Sequence, residues 1–195
     1  MDFNIIFISF NTFELLMAPF KKLEGIKEMH ECVCDCETLL SILKKEFAAY
    51  SIFDLMKIHA YMEQECRYLP PKYKKVYKEK LSEQIFFNFK NIISNIESGD
   101  HELDINQYQD FLKNFHHKIN GAAEEDLPQM TVLYYLCAIY NIFITQTPPH
   151  PEGTPFPGGF FVEKVGEDYY CPVKDKQEDN DEALCRFCVA KQTEI

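Results

Sequence analysis

The sequence predicts a mainly α-helical protein: a helical domain of about five helices, followed by a small C-terminal β-hairpin plus short helix that form a metal-binding module. Three observations carry this. Apolar residues recur at steps of three and four from about Thr38 to Ile144. Composition changes abruptly at TQTPPHPEGTPFPGG, where five prolines and three glycines leave no room for a helix. Beyond it, Cys171, Cys185 and Cys188 follow a metal-ligand spacing. The corresponding division is residues 1–36 as an N-terminal extension, 37–146 as the helical domain, and 147–195 as a Pro/Gly-rich arm and Cys-containing module.

The first helix places Leu39, Leu40, Leu43, Phe47 and Tyr50 on one face. SIFD, Ser51 to Asp54, is a capping box that opens the second. Its stripe is Ile52, Leu55, Met56, His59, Met62 and Cys66, and the double proline of RYLPPKY ends it. A third helix runs from about Pro71 to Ile96, with Tyr73, Tyr77, Leu81, Ile85, Phe89 and Ile92 in register. Asp104 caps a fourth, carrying Ile105, Tyr108, Phe111, Leu112, Phe115 and Ile119. The fifth, from Pro128 to about Ile144, contains MTVLYYLCAIYNIFI, which is apolar on nearly every face and therefore central. It falls about five residues short of a bilayer span. FFVEKVGEDYYCPV reads as two strands around Gly166-Glu167-Asp168, and Cys185 to Ala190 as the start of a last short helix.

Composition limits function. The chain has 195 residues, a hydrophobic fraction of 46% and a net charge of −11. That charge argues against sequence-independent binding to nucleic acid or to anionic membrane, and leaves a protein as the expected partner. The N-terminus has Asp2 where a secretory signal needs positive charge, so a cytoplasmic location is expected. There, eight cysteines point to metal or redox chemistry rather than crosslinks.

The cysteine pattern is Cys171, thirteen residues, Cys185, two residues, Cys188. A Cys-x-x-Cys turn presents two sulfurs to one tetrahedral centre, and imidazole commonly completes the shell. His150, held among prolines at the entrance to the module, is the fourth candidate; Cys137, Asp175 and Asp181 are weaker ones. A module this small gains from a metal the stability its core lacks. Zinc is the expected ion. An iron–sulfur cluster is the alternative and wants a fourth cysteine from Cys66, Cys137 or CVCDC. A closed four-ligand zinc makes a binding or adaptor protein. The other readings are an iron–sulfur redox or nucleic-acid-processing protein and a zinc enzyme with an open coordination position.

Other features have plainer readings. Cys32, Cys34 and Cys36 are spaced tightly for one metal, and His59 fits a core helix stripe. His116 and His117 suit a helix C-terminus, and Lys72 to Lys80 a solvated face. No phosphate loop, nucleophile elbow or metalloprotease helix is present.

The closing string HPEGTPFPGGFFVEKVGEDYYCPVKDKQEDNDEALCRFCVAKQ, with the RYLPPKY turn, resembles an uncharacterised archaeal protein family typical of methanogens, a domain of unknown function. The resemblance spans roughly Leu39 to Gln192 and brings no activity with it. It implies an archaeal cytoplasmic protein, mostly helical, with a Cys-containing tail whose matching residues are His150, Cys171, Cys185 and Cys188.

Overall fold

The computed structural model describes residues 29, 31, 33–66, 69–94, 101–120, 129–177, 179–180 and 183–194. Among the described residues the α-helices with full ranges are α1 (Cys36–Phe47), α2 (Ile52–Glu65), α3 (Pro71–Ile93), α4 (Ile105–Asn120) and α5 (Gln129–Ile139). α5 runs on into a π-helical turn, Tyr140–Ile144. Short strands follow: β1 (Pro155–Phe156), β2 (Phe160–Phe161), β3 (Glu163–Val165), β4 (Asp168–Cys171) and β5 (Lys191–Gln192). Single-turn 3₁₀ helices, Asp175–Gln177 and Leu184–Phe187, lie between β4 and β5. Among the described residues no helix is long and apolar enough to cross a membrane.

Helix starts are chemically marked. The Asp35 carboxylate accepts the Thr38 N–H at 2.7 Å, capping α1. At α2 the Asp54 carboxylate accepts both the N–H and the hydroxyl of Ser51, at 2.8 and 2.7 Å, while the Asp54 N–H reaches back to the Ser51 hydroxyl. That is the reciprocal box that SIFD predicts. Asp104 accepts the Gln107 N–H at 3.0 Å and opens α4.

α5 is the hub. Val132, Leu133, Tyr135 and Leu136 through Ile144 are all buried, as a helix apolar on every side requires. An aromatic seam fastens α4 to it. Phe115 stacks on Tyr135 at 4.5 Å, and Phe111 meets Tyr135 and Phe143 edge-on at 5.8 and 5.5 Å. The α2 stripe is narrower than its spacing predicts. Leu55, Met62 and Cys66 are buried, but Ile52 and Met56 are 51% and 60% exposed. Leu55, in the same turn, is 1% exposed, so these two residues lie off the buried face of α2. The side chain of His59 lies outside the described residues, as do Cys32, Arg67, Tyr68 and Asp181.

β1 and β2 form an antiparallel pair, and β3 and β4 the expected hairpin across Gly166-Glu167. The last element differs from expectation. The expected last helix is a single 3₁₀ turn, Leu184–Phe187, and does not run on to Ala190. The chain makes one 3₁₀ turn, becomes extended at Cys188 (φ −65°, ψ 138°), and enters β5, which pairs parallel with β4. A partner strand twenty residues upstream decides this, and no local pattern announces it. The strands share a small core of Phe156, Val162, Cys171 and Ala190. Leu184 and Phe187 belong to the main helical core instead.

Candidate metal centre

Parallel pairing sets Tyr170 beside Lys191 and Cys171 beside Gln192, and Lys174 links the turn that follows β4 to the turn that precedes β5. The first turn is Cys171-Pro172-Val173-Lys174, the second Cys185-Arg186-Phe187-Cys188. Both are tight. The Lys174 N–H points back to the Cys171 carbonyl at 3.5 Å, and the Cys188 N–H donates to the carbonyls of Leu184 and Cys185, each at 3.1 Å.

Backbone donors are aimed at sulfur in both turns. The Ala190 N–H donates to Cys188 Sγ at 3.4 Å, and the backbone N–H groups of Val173 and Lys174 favour the Cys171 thiolate. The three thiols are near enough to act on one another electrostatically. Cys171 raises the pKa of Cys185, and both act on Cys188. Burial is the larger cause in each, pushing Cys185 and Cys188 up to about 11 and Cys171 above the usual thiol value. The Lys174 ammonium works in the opposite direction on all three.

Lys174 is the residue that the cysteine pattern does not single out. Its Nζ donates to the carbonyl of Cys188 at 2.8 Å and to that of Cys185, tying one turn to the other. The legible signal is spacing: Cys171-x-x-Lys174 repeats Cys185-x-x-Cys188 with a cation in the last place.

His150 packs against aromatic rings, with Tyr77 at 6.5 Å and Phe156 at 5.7 Å. Burial alone lowers its pKa to about 4, so the imidazole is neutral at pH 7, as a metal ligand must be. Phe156 connects it to the thiols, since the same ring shares the small core with Cys171. The neighbouring backbone is tightly tied. Gly153 donates to the Val162 carbonyl at 2.8 Å with φ +82°, and a Cβ there would stand 3.1 Å from Lys80 Cε. Glycine suits both demands. Among the described residues, no group of three or more His, Cys, Asp or Glu side chains is gathered as a ready-made metal cage.

The weaker candidates lie elsewhere. Cys137 is buried in α5 with its thiol pushed up to about 12. Asp175 is exposed at the start of a 3₁₀ turn, and Cys66 is buried at the end of α2. In CVCDC, Cys34 is exposed; Cys36 is buried, with its thiol donating to the Phe143 carbonyl at 3.5 Å and lying 3.7 Å from His101 Nε2.

Sequence comparison places the chain. Residues 35–193 match the family model described as "uncharacterized protein conserved in archaea (DUF2115)". A UPF0305 protein of Methanothermobacter thermautotrophicus is 34% identical over 154 residues, covering 79% of this chain and 94% of the relative. The UPF0305 protein of Methanocaldococcus jannaschii is 36% identical over 155 residues, covering 78% and 93%. That of Methanopyrus kandleri is 33% identical over 123 residues, covering 60% and 84%. No solved structure matches. A model matching the chain from Asp35 to Thr193, helices and thiol turns together, makes this protein a member of that archaeal family.

Proposed function

We propose that the protein is a binding or adaptor protein stapled by a structural zinc ion, with Cys171, Cys185, Cys188 and His150 as the ligands. The observation that carries the reading is that Cys171, Cys185 and Cys188 lie near enough to act on one another electrostatically, with backbone N–H groups directed at the sulfurs of Cys171 and Cys188. Such donors stabilise thiolates once a metal has displaced their protons. The donor set, three sulfurs and a neutral imidazole, fits the preference of zinc for tetrahedral S/N coordination. His150 is one ring away, across Phe156, and completing the shell requires it to turn from the aromatic slot.

Four protein ligands leave no position for substrate, which favours a structural role over zinc catalysis. The adaptor part of the reading draws on exposed apolar side chains. Phe53 is 70% exposed beside Ile52 and Met56 at the start of α2. Isolated exposed apolar groups are ordinary, and three in one turn and a half suit a protein partner.

Elemental analysis with an absorption spectrum on anaerobically prepared protein tests the proposal. Zinc at near one per chain with no visible absorption is the expected result. Iron with visible absorption would favour the iron–sulfur reading, and the absence of both metals would overturn the metal assignment.

A further inference from the structure

A cleft of about 380 Å³ opens between α4 and the 3₁₀ turn Leu184–Phe187, lined by Gln107, Asp110, Lys113, Arg186 and Phe187. Its volume is that of a small-molecule pocket. Gln107, Asp110 and Lys113 come from successive turns of α4, and Arg186 and Phe187 from the facing 3₁₀ turn. The two walls are fastened to each other, because Phe187 packs edge-on against Phe111 of α4 at 5.2 Å. We propose that this cleft binds a small molecule through an oxyanion, a carboxylate or a phosphate, with Arg186 and Lys113 as the binding residues.

Both cations are held in place by neighbours. The Arg186 guanidinium lies over the Phe187 ring, 4.6 Å from its centroid. A planar cation laid on an aromatic face keeps N–H donors along its rim, and a carboxylate or phosphate can take two of them in parallel. Lys113 Nζ donates to the Asp110 carboxylate at 2.7 Å. An ammonium has three N–H donors, so that bond does not exhaust it. Phe187 adds an apolar wall, and Gln107 an amide that both donates and accepts, which suits the uncharged remainder of a small molecule.

Charge selects the sign of the ligand. Two cations and one carboxylate line the cleft, a local positive excess on a chain whose net charge is −11. A hydrogen bond from Lys113 and its charge hold the Asp110 carboxyl below its ordinary value, and Arg186 adds to the effect. Asp110 is therefore ionised at neutral pH and anchors Lys113 at the cleft. With side chains 68% and 61% exposed, the Lys113–Asp110 pair adds little to stability, so the fold alone does not account for the gathering of charge here. The site uses no thiol and no metal, and it stands or falls apart from the zinc reading. A ligand held by both walls would also tie the segment before β5 to α4.

The test is a nuclear magnetic resonance titration of the full chain, with inorganic phosphate and succinate as separate probes at constant ionic strength. Saturable shifts of the Arg186 side-chain Nε–H and of the backbone amides of Gln107, Asp110 and Phe187 are the expected result. Saturation by phosphate alone assigns a phosphate ligand, by succinate alone a carboxylate, and by both the shared oxyanion chemistry. Arg186→Gln and Lys113→Gln are each expected to weaken binding about tenfold, as loss of a charged hydrogen-bond donor does. Shifts that rise linearly with both probes overturn the proposal, and so does wild-type affinity in either variant. Should Arg186→Gln fail to fold by circular dichroism, having uncovered Phe187, the affinity of Lys113→Gln decides alone.

Discussion

Phe187 meets Phe111 of α4 ring edge to ring face at 5.2 Å, although the cysteines on either side of it, Cys185 and Cys188, belong to the thiol turns. One residue of a four-residue turn is thus rooted in the helical core while Cys185 and Cys188 are the proposed ligands. Arg186 lies over the same Phe187 ring at 4.6 Å and shields it from solvent. Phe187→Ala is expected to cost about 3–5 kcal/mol, the usual range for truncating a buried aromatic. Urea unfolding measures the loss. Limited proteolysis should show cleavage between β4 and β5 appearing before the helices are attacked.

Metal removal should act locally. With zinc bound, residues beyond β4 are expected to resist protease, and chelation should expose them while most of the far-ultraviolet helical signal remains. Cys188→Ser is expected to reproduce the chelated pattern without chelator. Equal protease resistance in Cys188→Ser and wild type would separate the metal from the folding of this segment.

Metal uptake should release protons. Burial holds the Cys185 and Cys188 thiols near pKa 11 and Cys171 above its ordinary value, so all three are protonated at pH 7 in the metal-free chain. Thiolate is the form that binds, so apparent zinc affinity is expected to rise with pH through the neutral range, with close to three protons released per ion. Calorimetry in buffers of differing ionisation enthalpy counts them. Release of one proton or none would contradict a three-thiolate site.

Much of the helical architecture was legible because its causes are local. The periods of α3, α4 and α5, the Ser51–Asp54 box and the Asp104 cap each depend on residues within a turn or two. The thiol spacing was legible for the same reason. The partners of His150 were not, since Tyr77 lies on α3, distant in sequence. Nor was β5, a two-residue strand that exists only through its pairing with β4. The exposure of Ile52 and Met56 beside buried Leu55 shows a buried face narrower than the helical period alone states.

A buried amide cluster gives a further prediction. Gln84 Nε2 donates to Asn88 Oδ1 at 2.8 Å and to Asn141 Oδ1 at 3.2 Å, joining α3 to the π-helical turn. Asn88 and Asn141 are almost fully buried. Gln84→Ala removes the shared donor and leaves two buried carbonyl oxygens without it, at a cost of roughly 1–3 kcal/mol. Thermal denaturation checks this. A loss below the resolution of the melt would mean that water replaces the amide.

The α2 capping box carries a pH dependence with a definite sign. Hydrogen bonds from Ser51 hold the Asp54 carboxyl below its ordinary value. Its stabilisation is therefore full above about pH 4, the unfolded carboxylate value, and is lost as pH falls through the lower folded value. Asp54→Ala is expected to cost about 1 kcal/mol at pH 7 and progressively less at more acidic pH. Paired urea titrations at pH 7 and pH 3 measure the difference, and an equal cost at both would remove the carboxylate from the explanation.

The parallel β4–β5 pairing has a kinetic consequence. Nineteen residues separate Cys171 from Lys191, and they must be ordered before the two residue pairs of the ladder can form. Loop-closure entropy is lost first, and a two-pair ladder returns little for it. The ladder is therefore a poor folding nucleus and the natural place for sub-global opening. Amide hydrogen exchange would be fastest at Tyr170 and Gln192 in the metal-free chain and slow toward the rate of α4 when an ion bridges the turns. In that picture the ion does not build the helical fold; it sets how often the last segment lets go of it.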